Sequence, residues 1–118
     1  PQENGNKTDV RWATLSNKTN TGIIIFGLPR FNLSAHHYTL ENLTNATHTY
    51  MVKEDGPITV NIDYKIMGLG GDDSWNPRTH EEYLVKPGLY HFSYILRFTD
   101  DIDEDFSRGI PLLNINEE

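Results

Sequence analysis

One stretch of the sequence decides the fold: Ile58-Thr59-Val60-Asn61-Ile62-Asp63-Tyr64-Lys65-Ile66. Apolar or aromatic side chains occupy every second position, and polar side chains occupy the positions between them. Successive side chains of a β-strand point to opposite faces of the sheet. The alternation therefore predicts a strand over residues 58–66 with one apolar and one polar face.

A second stretch repeats this pattern further along the chain. It covers residues 89–98 and follows the turn signal Pro87-Gly88. We expect a second strand here, because the alternation again has a period of two. Its predicted apolar face consists of Tyr90, Phe92, Tyr94, Leu96 and Phe98.

Two segments near the start of the chain also predict strands. Residues 8–15 alternate between apolar and polar side chains, which is typical of a strand with one wet face. Residues 23–28 are apolar at every position except Gly27, which indicates a strand buried on both faces. We expect Pro29 to interrupt that strand, because proline cannot donate to a β-ladder.

Helical signals are weak. Thr39 can cap a short helix, but residues 39–43 support at most two turns. Residues 99–118 change in character to an acidic run, and we interpret them as an extended tail. Several strands separated by turns, without a helix-sized apolar stripe, predict an all-β domain built as an antiparallel β-sandwich.

The charge balance excludes two classes of partner. The 118 residues include 10 Lys and Arg against 17 Asp and Glu, which gives a net charge of −7. Binding to nucleic acid or to an anionic membrane surface requires a basic surface, so we expect neither. The absence of cysteine excludes disulfides, thiolate metal sites and cysteine nucleophiles. Because the sequence begins with Pro1 rather than methionine, we expect a processed chain or a piece of a longer protein.

The most unusual segment is Met67-Gly68-Leu69-Gly70-Gly71-Asp72-Asp73-Ser74-Trp75-Asn76-Pro77, between the two clearest strands. Its glycines permit tight turns, and it presents Trp75 beside two carboxylates. An indole ring beside carboxylates is typical of a carbohydrate site. The other interpretation is that Trp75 plugs the open end of the sandwich, since tryptophan is usually largely buried.

Adjacent aspartates are poor candidates for a catalytic pair. Glycosidases need two carboxyl groups that face each other across the scissile bond, and neighbouring residues seldom converge in that way. We expect one of Asp72 and Asp73 to accept backbone N–H groups of the turn or to pair with Arg78, and the other to be solvated. The acidic run after residue 99 and the five histidines also lack the spacing of a metal site.

Four segments carry a resemblance to a known family. They are Pro1–Trp12, residues 31–38, Met67–Trp75 and Tyr90–Tyr94. Together they resemble the C-terminal domain of the large bacterial β-galactosidases of glycoside hydrolase family two, which is the small-chain domain in two-subunit forms. The resemblance covers residues 1–98, and the order of glycine, aspartate and tryptophan after Met67 is specific to this group.

The resemblance implies a fold and a division of labour. The fold is a supersandwich similar to the galactose-mutarotase fold, and residues 1–98 would be its later part, with the first strands before Pro1. The catalytic glutamates and the magnesium and sodium sites would lie in a central (β/α)8 barrel that this sequence lacks. We therefore expect no catalytic residue, metal or cofactor in this chain, and no activity from the chain alone.

The resemblance also implies a substrate-binding residue. Trp75 would stack on the aglycone sugar of a terminal β-D-galactoside such as lactose, in an enzyme that retains the anomeric configuration. The residues that match the supporting loop are Gly70, Gly71, Asp72, Asp73 and Ser74. The partners implied are the aglycone sugar and the other domains or the large chain of the enzyme. Exposed strand edges and an uncovered apolar face also predict self-association.

Two alternatives remain beside this interpretation. The first is a free-standing sugar-binding or mutarotase-like module with its own site. The second is a purely structural domain that supports assembly. The sequence does not distinguish the cytoplasm of a bacterium from its periplasm.

Overall fold

The computed structural model describes residues 4–54, 56–68, 70, 72–73, 75–76 and 78–108. Within them, the chain forms four strands, two short α-helices and two 3-10 turns. The strands are β1 (Lys7–Ser16), β2 (Gly22–His36), β3 (Thr59–Asp63) and β4 (Ser93–Thr99). The helices are α1 (Leu40–Asn45) and α2 (Ile102–Ser107), and the 3-10 turns cover Thr49–Met51 and Glu81–Tyr83.

The long strand β2 is the centre of one antiparallel sheet. It pairs with β1 along one edge and with β3 and β4 along the other. The two edges are distinguished by residues of β2 that pair on both sides, such as Ile25, which lies opposite Ala13 of β1 and Leu96 of β4. This arrangement confirms the predicted antiparallel all-β class.

Strands β3 and β4 share one edge of β2 end to end. The ladder with β4 ends at Leu28 opposite Ser93, and the ladder with β3 begins at Asn32 opposite Asp63. The gap between the two ladders contains Pro29, which has no N–H to donate. The prediction that Pro29 interrupts the strand is therefore wrong for β2 itself, but the pairing along this edge does break there.

This gap explains why two strands are shorter than their sequence patterns. The alternation from residue 58 continues to Ile66, but β3 ends at Asp63 because β2 offers no ladder partner beyond Asn32 on this side. Likewise, β4 begins at Ser93 rather than at residue 89. The chain leaves the sheet after β3 and returns to the same edge at β4, so residues 64–92 form one long excursion.

The core lies at the middle of β2. Ile24, Ile25 and Phe31 are each at most 1% exposed. Ile24 and Ile25 are adjacent and point to opposite faces, so their burial confirms the prediction that both faces of this strand are covered. Strand β4 is different, because most of its residues are exposed.

Helix α2 covers one face of the sheet. The ring of Phe106 lies 4.8 Å from the ring of Trp12, and Asp105 accepts hydrogen bonds from the guanidinium of Arg97. The interpretation of residues 99–118 as extended is wrong over Ile102–Ser107, because Asp101 caps a helix there and Ile102 is buried. Residues 109–118 lie outside the described residues.

Helix α1 follows its sequence signal. The Oγ1 atom of Thr39 accepts a hydrogen bond from the backbone N–H of Asn42 at 3.1 Å, which confirms Thr39 as the cap. The helix is six residues long, within the predicted two turns. Of the helices in the described part of the chain, none is long and apolar enough to cross a membrane.

Candidate functional site

The candidate site is the excursion between β3 and β4, which we name the tryptophan loop (residues 64–92). An aromatic base closes it where it leaves and rejoins the sheet. The ring of Tyr64 lies 5.5 Å from the ring of Tyr90 and 5.8 Å from the ring of Phe92. Both ring pairs are tilted, and their separations lie within the range of interacting aromatic pairs, about 4.5–7 Å. Some of the alternating apolar positions of the two predicted strands, namely Tyr64, Tyr90 and Phe92, therefore close the loop.

Above this base, a stem holds the two arms of the loop together. The backbone N–H of Gly68 donates to the carbonyl oxygen of Tyr83 at 2.8 Å, and the hydroxyl of Thr79 donates to the carbonyl oxygen of Gly68 at 2.9 Å. The arms approach so closely that a Cβ atom at Gly68 would lie 2.6 Å from the Cβ atom of Tyr83. The glycine at this position is therefore a packing requirement.

The tip of the loop is a turn organised by one aspartate. The Oδ1 atom of Asp73 accepts the backbone N–H groups of Trp75 at 2.8 Å and of Asn76 at 2.6 Å. This is the turn role expected for one member of the aspartate pair. Gly70 also fits a turn, because its φ of +77° lies in the left-handed region that favours glycine. Gly71 and Ser74, which belong to the predicted supporting loop, lie outside the described residues.

Asp72 has a partner that sequence reasoning missed. Its Oδ1 atom lies 2.8 Å from the Nε2 atom of His80. The rings of His80 and Tyr83 also form a T-shaped contact, with 6.4 Å between the centroids. Asp72 is nevertheless largely solvated, as expected for the second aspartate, because its side chain stays 81% exposed, and that of His80 is 54% exposed. An acid eight residues before a histidine, in a loop without periodicity, carries no sequence signal for such a contact.

Trp75 projects from the turn into solvent. It is 92% exposed, the highest value among the large apolar side chains in the described part of the chain. The interpretation that Trp75 plugs the open end of the sandwich is wrong for this structure. An indole presented in this way offers both faces and its N–H group to whatever approaches the loop.

The two described aspartates of the loop are not arranged as a catalytic pair. Asp73 is engaged by the turn, and Asp72 is engaged by His80, so the two carboxylates do not face each other across a cleft. Among the described residues, no group of three or more His, Asp or Glu side chains is placed to hold a metal ion.

A separate cavity lies away from the loop, between the N-terminal segment and α1. Its volume is about 70 Å³, well below the roughly 300–1,000 Å³ of typical ligand pockets. The hydroxyl of Tyr38 donates to Asn4, and the ring of His36 bonds the Asn4 carbonyl group, so the polar groups here already have partners.

The chain is similar in sequence to known proteins. The family model described as the β-galactosidase small chain matches residues 1–96. The chain is 48% identical over 85 residues to a β-galactosidase of Priestia megaterium, a match that covers 72% of this chain and 8% of the relative. It is 38% identical over 96 residues to a β-galactosidase of Pseudoalteromonas haloplanktis, covering 81% of this chain and 9% of that protein.

A third relative matches a similar share of the chain. The chain is 34% identical over 97 residues to a β-galactosidase of Photobacterium profundum, and this match covers 82% of the chain. The chain spans less than a tenth of the length of each of these curated relatives.

Proposed function

This chain belongs to the β-galactosidase small-chain family, and from that premise we propose that it acts as the later part of the C-terminal domain of a β-galactosidase. The enzyme would hydrolyse terminal β-D-galactosides such as lactose. This chain would contribute one contact to the substrate, the indole ring of Trp75. The observation that carries the proposal is the 92% exposure of Trp75 on a loop whose base, stem and turn are all built by specific contacts.

Trp75 would stack on the aglycone sugar. The C–H faces of a pyranose ring are apolar, and a flat indole covers such a face while its N–H group remains available to a hydroxyl. Stacking of this kind acts on the leaving glucose or on an acceptor sugar, and it contributes to binding more than to bond cleavage. The aspartates of the loop would have no part in the chemistry, in keeping with their contacts to the turn and to His80.

The catalytic step would take place outside this chain. In the proposed enzyme, two glutamates of a (β/α)8 barrel form and hydrolyse a covalent galactosyl intermediate with retention of configuration. The magnesium and sodium sites of the enzyme would belong to the same barrel, so this chain would need no cofactor. We therefore expect the 118-residue chain alone to be inactive.

The sheet offers a surface for the rest of such an enzyme. In β4, Tyr94, Leu96 and Phe98 are all exposed, and Phe98 is 76% exposed. Exposed apolar surface of this kind on an outer strand is characteristic of an interface. We propose that other domains, or the large chain of a two-subunit enzyme, cover it, and that the isolated chain self-associates through it.

The proposal is tested by assaying a chromogenic β-galactoside with two proteins. The first is the 118-residue chain, and the second is a β-galactosidase that contains it as its C-terminal part. We expect hydrolysis by the second protein only. Hydrolysis by the short chain itself would contradict the assignment of catalysis to another domain. If calorimetry of the short chain with millimolar lactose shows saturable heat, the alternative of a sugar-binding module with its own site gains support instead.

A further inference from the structure

Among the described residues of the tryptophan loop, the contact between Asp72 and His80 is a polar contact that neither the turn nor the stem requires. We propose that His80 is a positioning residue for Trp75, and that its imidazole fixes the aspartate turn relative to the stem of the loop. This inference rests on the proposed function, in which Trp75 contacts the aglycone. It goes beyond that function because it assigns the specificity of the contact between Trp75 and the aglycone partly to His80, five residues further along the chain.

Two consecutive contacts connect Trp75 to His80. Trp75 is tied to Asp73 by a 2.8 Å hydrogen bond from its own backbone N–H. Asp72 is the neighbour of Asp73 in the chain, and it is tied to His80 by the 2.8 Å contact. Within the described residues, the pair of Asp72 and His80 thus links the turn that carries the indole to the returning arm of the loop.

His80 is itself anchored. Its carbonyl oxygen accepts the backbone N–H of Tyr83 at 3.0 Å, and its ring forms a T-shaped contact with the Tyr83 ring. Tyr83 in turn accepts the backbone N–H of Gly68 at 2.8 Å, which closes the stem. The contact from Asp72 therefore ends on a residue that is itself bonded to the stem of the loop.

The indole ring of Trp75 has little packing of its own. Trp75 is 92% exposed, so its own ring packing contributes little to its position. The placement of the ring then depends on the backbone of the turn. A turn that is already ordered spares the complex the entropy of ordering it on binding, which is the usual source of tighter recognition by a pre-organised site.

The test measures order at Trp75 in the 118-residue chain without any sugar. The measurement is the ¹⁵N relaxation order parameter of the Trp75 backbone amide, which is about 0.85 for a rigid backbone and below about 0.6 for a flexible one. We expect the wild-type value to lie close to the rigid limit. His80→Ala should lower it into the flexible range, because the link to the stem is lost.

Two further variants and one control distinguish the effect of losing the hydrogen bond from the effect of losing side-chain volume. His80→Gln should keep the order parameter near the wild-type value, because its side-chain amide can still donate to Asp72. Asp72→Ala removes the same contact from the other side and should repeat the effect of His80→Ala. His37→Ala changes an exposed histidine outside the loop, and it should leave Trp75 unaffected. The amide spectrum of β2 reports whether each variant is folded.

The outcomes decide the inference without reference to activity. An unchanged order parameter in both His80→Ala and Asp72→Ala would overturn it, and so would a loss in His80→Gln equal to that in His80→Ala. If the order parameters behave as expected but Trp75→Ala leaves lactose hydrolysis intact in the longer enzyme, the proposed function fails and the positioning contact stands. If both hold, His80→Ala in that enzyme should raise the KM for lactose, by less than Trp75→Ala does, and His80→Gln should restore it.

Discussion

Gly68 donates its backbone N–H to the carbonyl oxygen of Tyr83 at 2.8 Å, and the two arms of the tryptophan loop meet at this bond. The approach leaves no space for a side chain, because an added Cβ atom would lie 2.6 Å from the Cβ of Tyr83 and 3.0 Å from the Cγ2 of Thr79. The bond closes the loop that carries the exposed indole of Trp75. The two ends of this loop join β3 and β4, which lie end to end along one edge of β2.

Gly68→Ala should loosen this stem. The methyl group would press on the side chains of Tyr83 and Thr79, and overpacking of this kind typically costs about 1–3 kcal/mol. We expect a fall of this size in the free energy of unfolding measured in urea. Gly88→Ala is the matched control, because the nearest atoms to its Cβ would be 3.9 Å away in the ring of Tyr90. Equal losses in the two variants would contradict the role of the stem.

The pair formed by Arg97 and Asp105 should make stability depend on pH. Hydrogen bonds from Arg97, and then from Thr99, lower the pKa of the Asp105 carboxyl below its ordinary value. A carboxyl whose pKa is lower in the folded state stabilises the fold above its unfolded pKa of about 3.9, and this contribution is lost as the pH falls through the folded value.

Asp105→Asn should therefore reduce the free energy of unfolding at pH 7, and its difference from wild type should shrink on acidification below about pH 4. Urea titrations at several pH values provide the measurement. Asp103→Asn lies on the exposed side of the same helix and should show little of this pH-dependent difference. A difference for Asp105→Asn that stays constant down to pH 2 would refute the assignment.

Strand β4 should govern self-association of the isolated chain. Leu96 and Phe98 point to the same face, since they pair with Ile25 and Ile23 of β2, and both are exposed. Replacing both with lysine places two like charges on this edge, which disfavours association through it. Light scattering at increasing concentration should show oligomers for wild type and fewer for the double variant.

The control for this experiment is a lysine on the opposite edge of the sheet. Thr8→Lys lies in the exposed part of β1 and should leave the oligomers of the wild type in place. A wild-type chain that stays monomeric at high concentration would show that the apolar surface of β4 does not drive association.

The sequence predicts the strands well where side-chain pattern and pairing coincide. Residues 23–28 are apolar because Ile24 and Ile25 fill both faces of the central strand. The pattern overestimates the length of β3, since alternation up to Ile66 contains no information on where the ladder between β2 and β3 ends. Pairing is a property of two segments, whereas alternation is a property of one.

The same distinction between local and non-local information applies to the tryptophan loop and to α2. The turn role of an aspartate was predictable, because an Asp side chain that accepts nearby backbone N–H groups is a local interaction. The contacts of Asp72 with His80 and of Asp105 with Arg97 each span eight residues of irregular or mixed structure, and no periodicity signals them. Helix α2 was missed for this reason, since its acidic composition conceals the buried Ile102 and the paired Asp105.

In the proposed enzyme, Trp75 contacts the aglycone of a β-galactoside. The most direct test compares kcat/KM for lactose and for an aryl β-galactoside in a β-galactosidase that contains this chain, with and without Trp75→Ala. Loss of aromatic stacking worth about 1–1.5 kcal/mol should lower the lactose value by up to about tenfold. Attack on the aryl galactoside should largely survive, and Trp75→Phe should retain part of the lactose activity. Full lactose activity in Trp75→Ala would contradict the account.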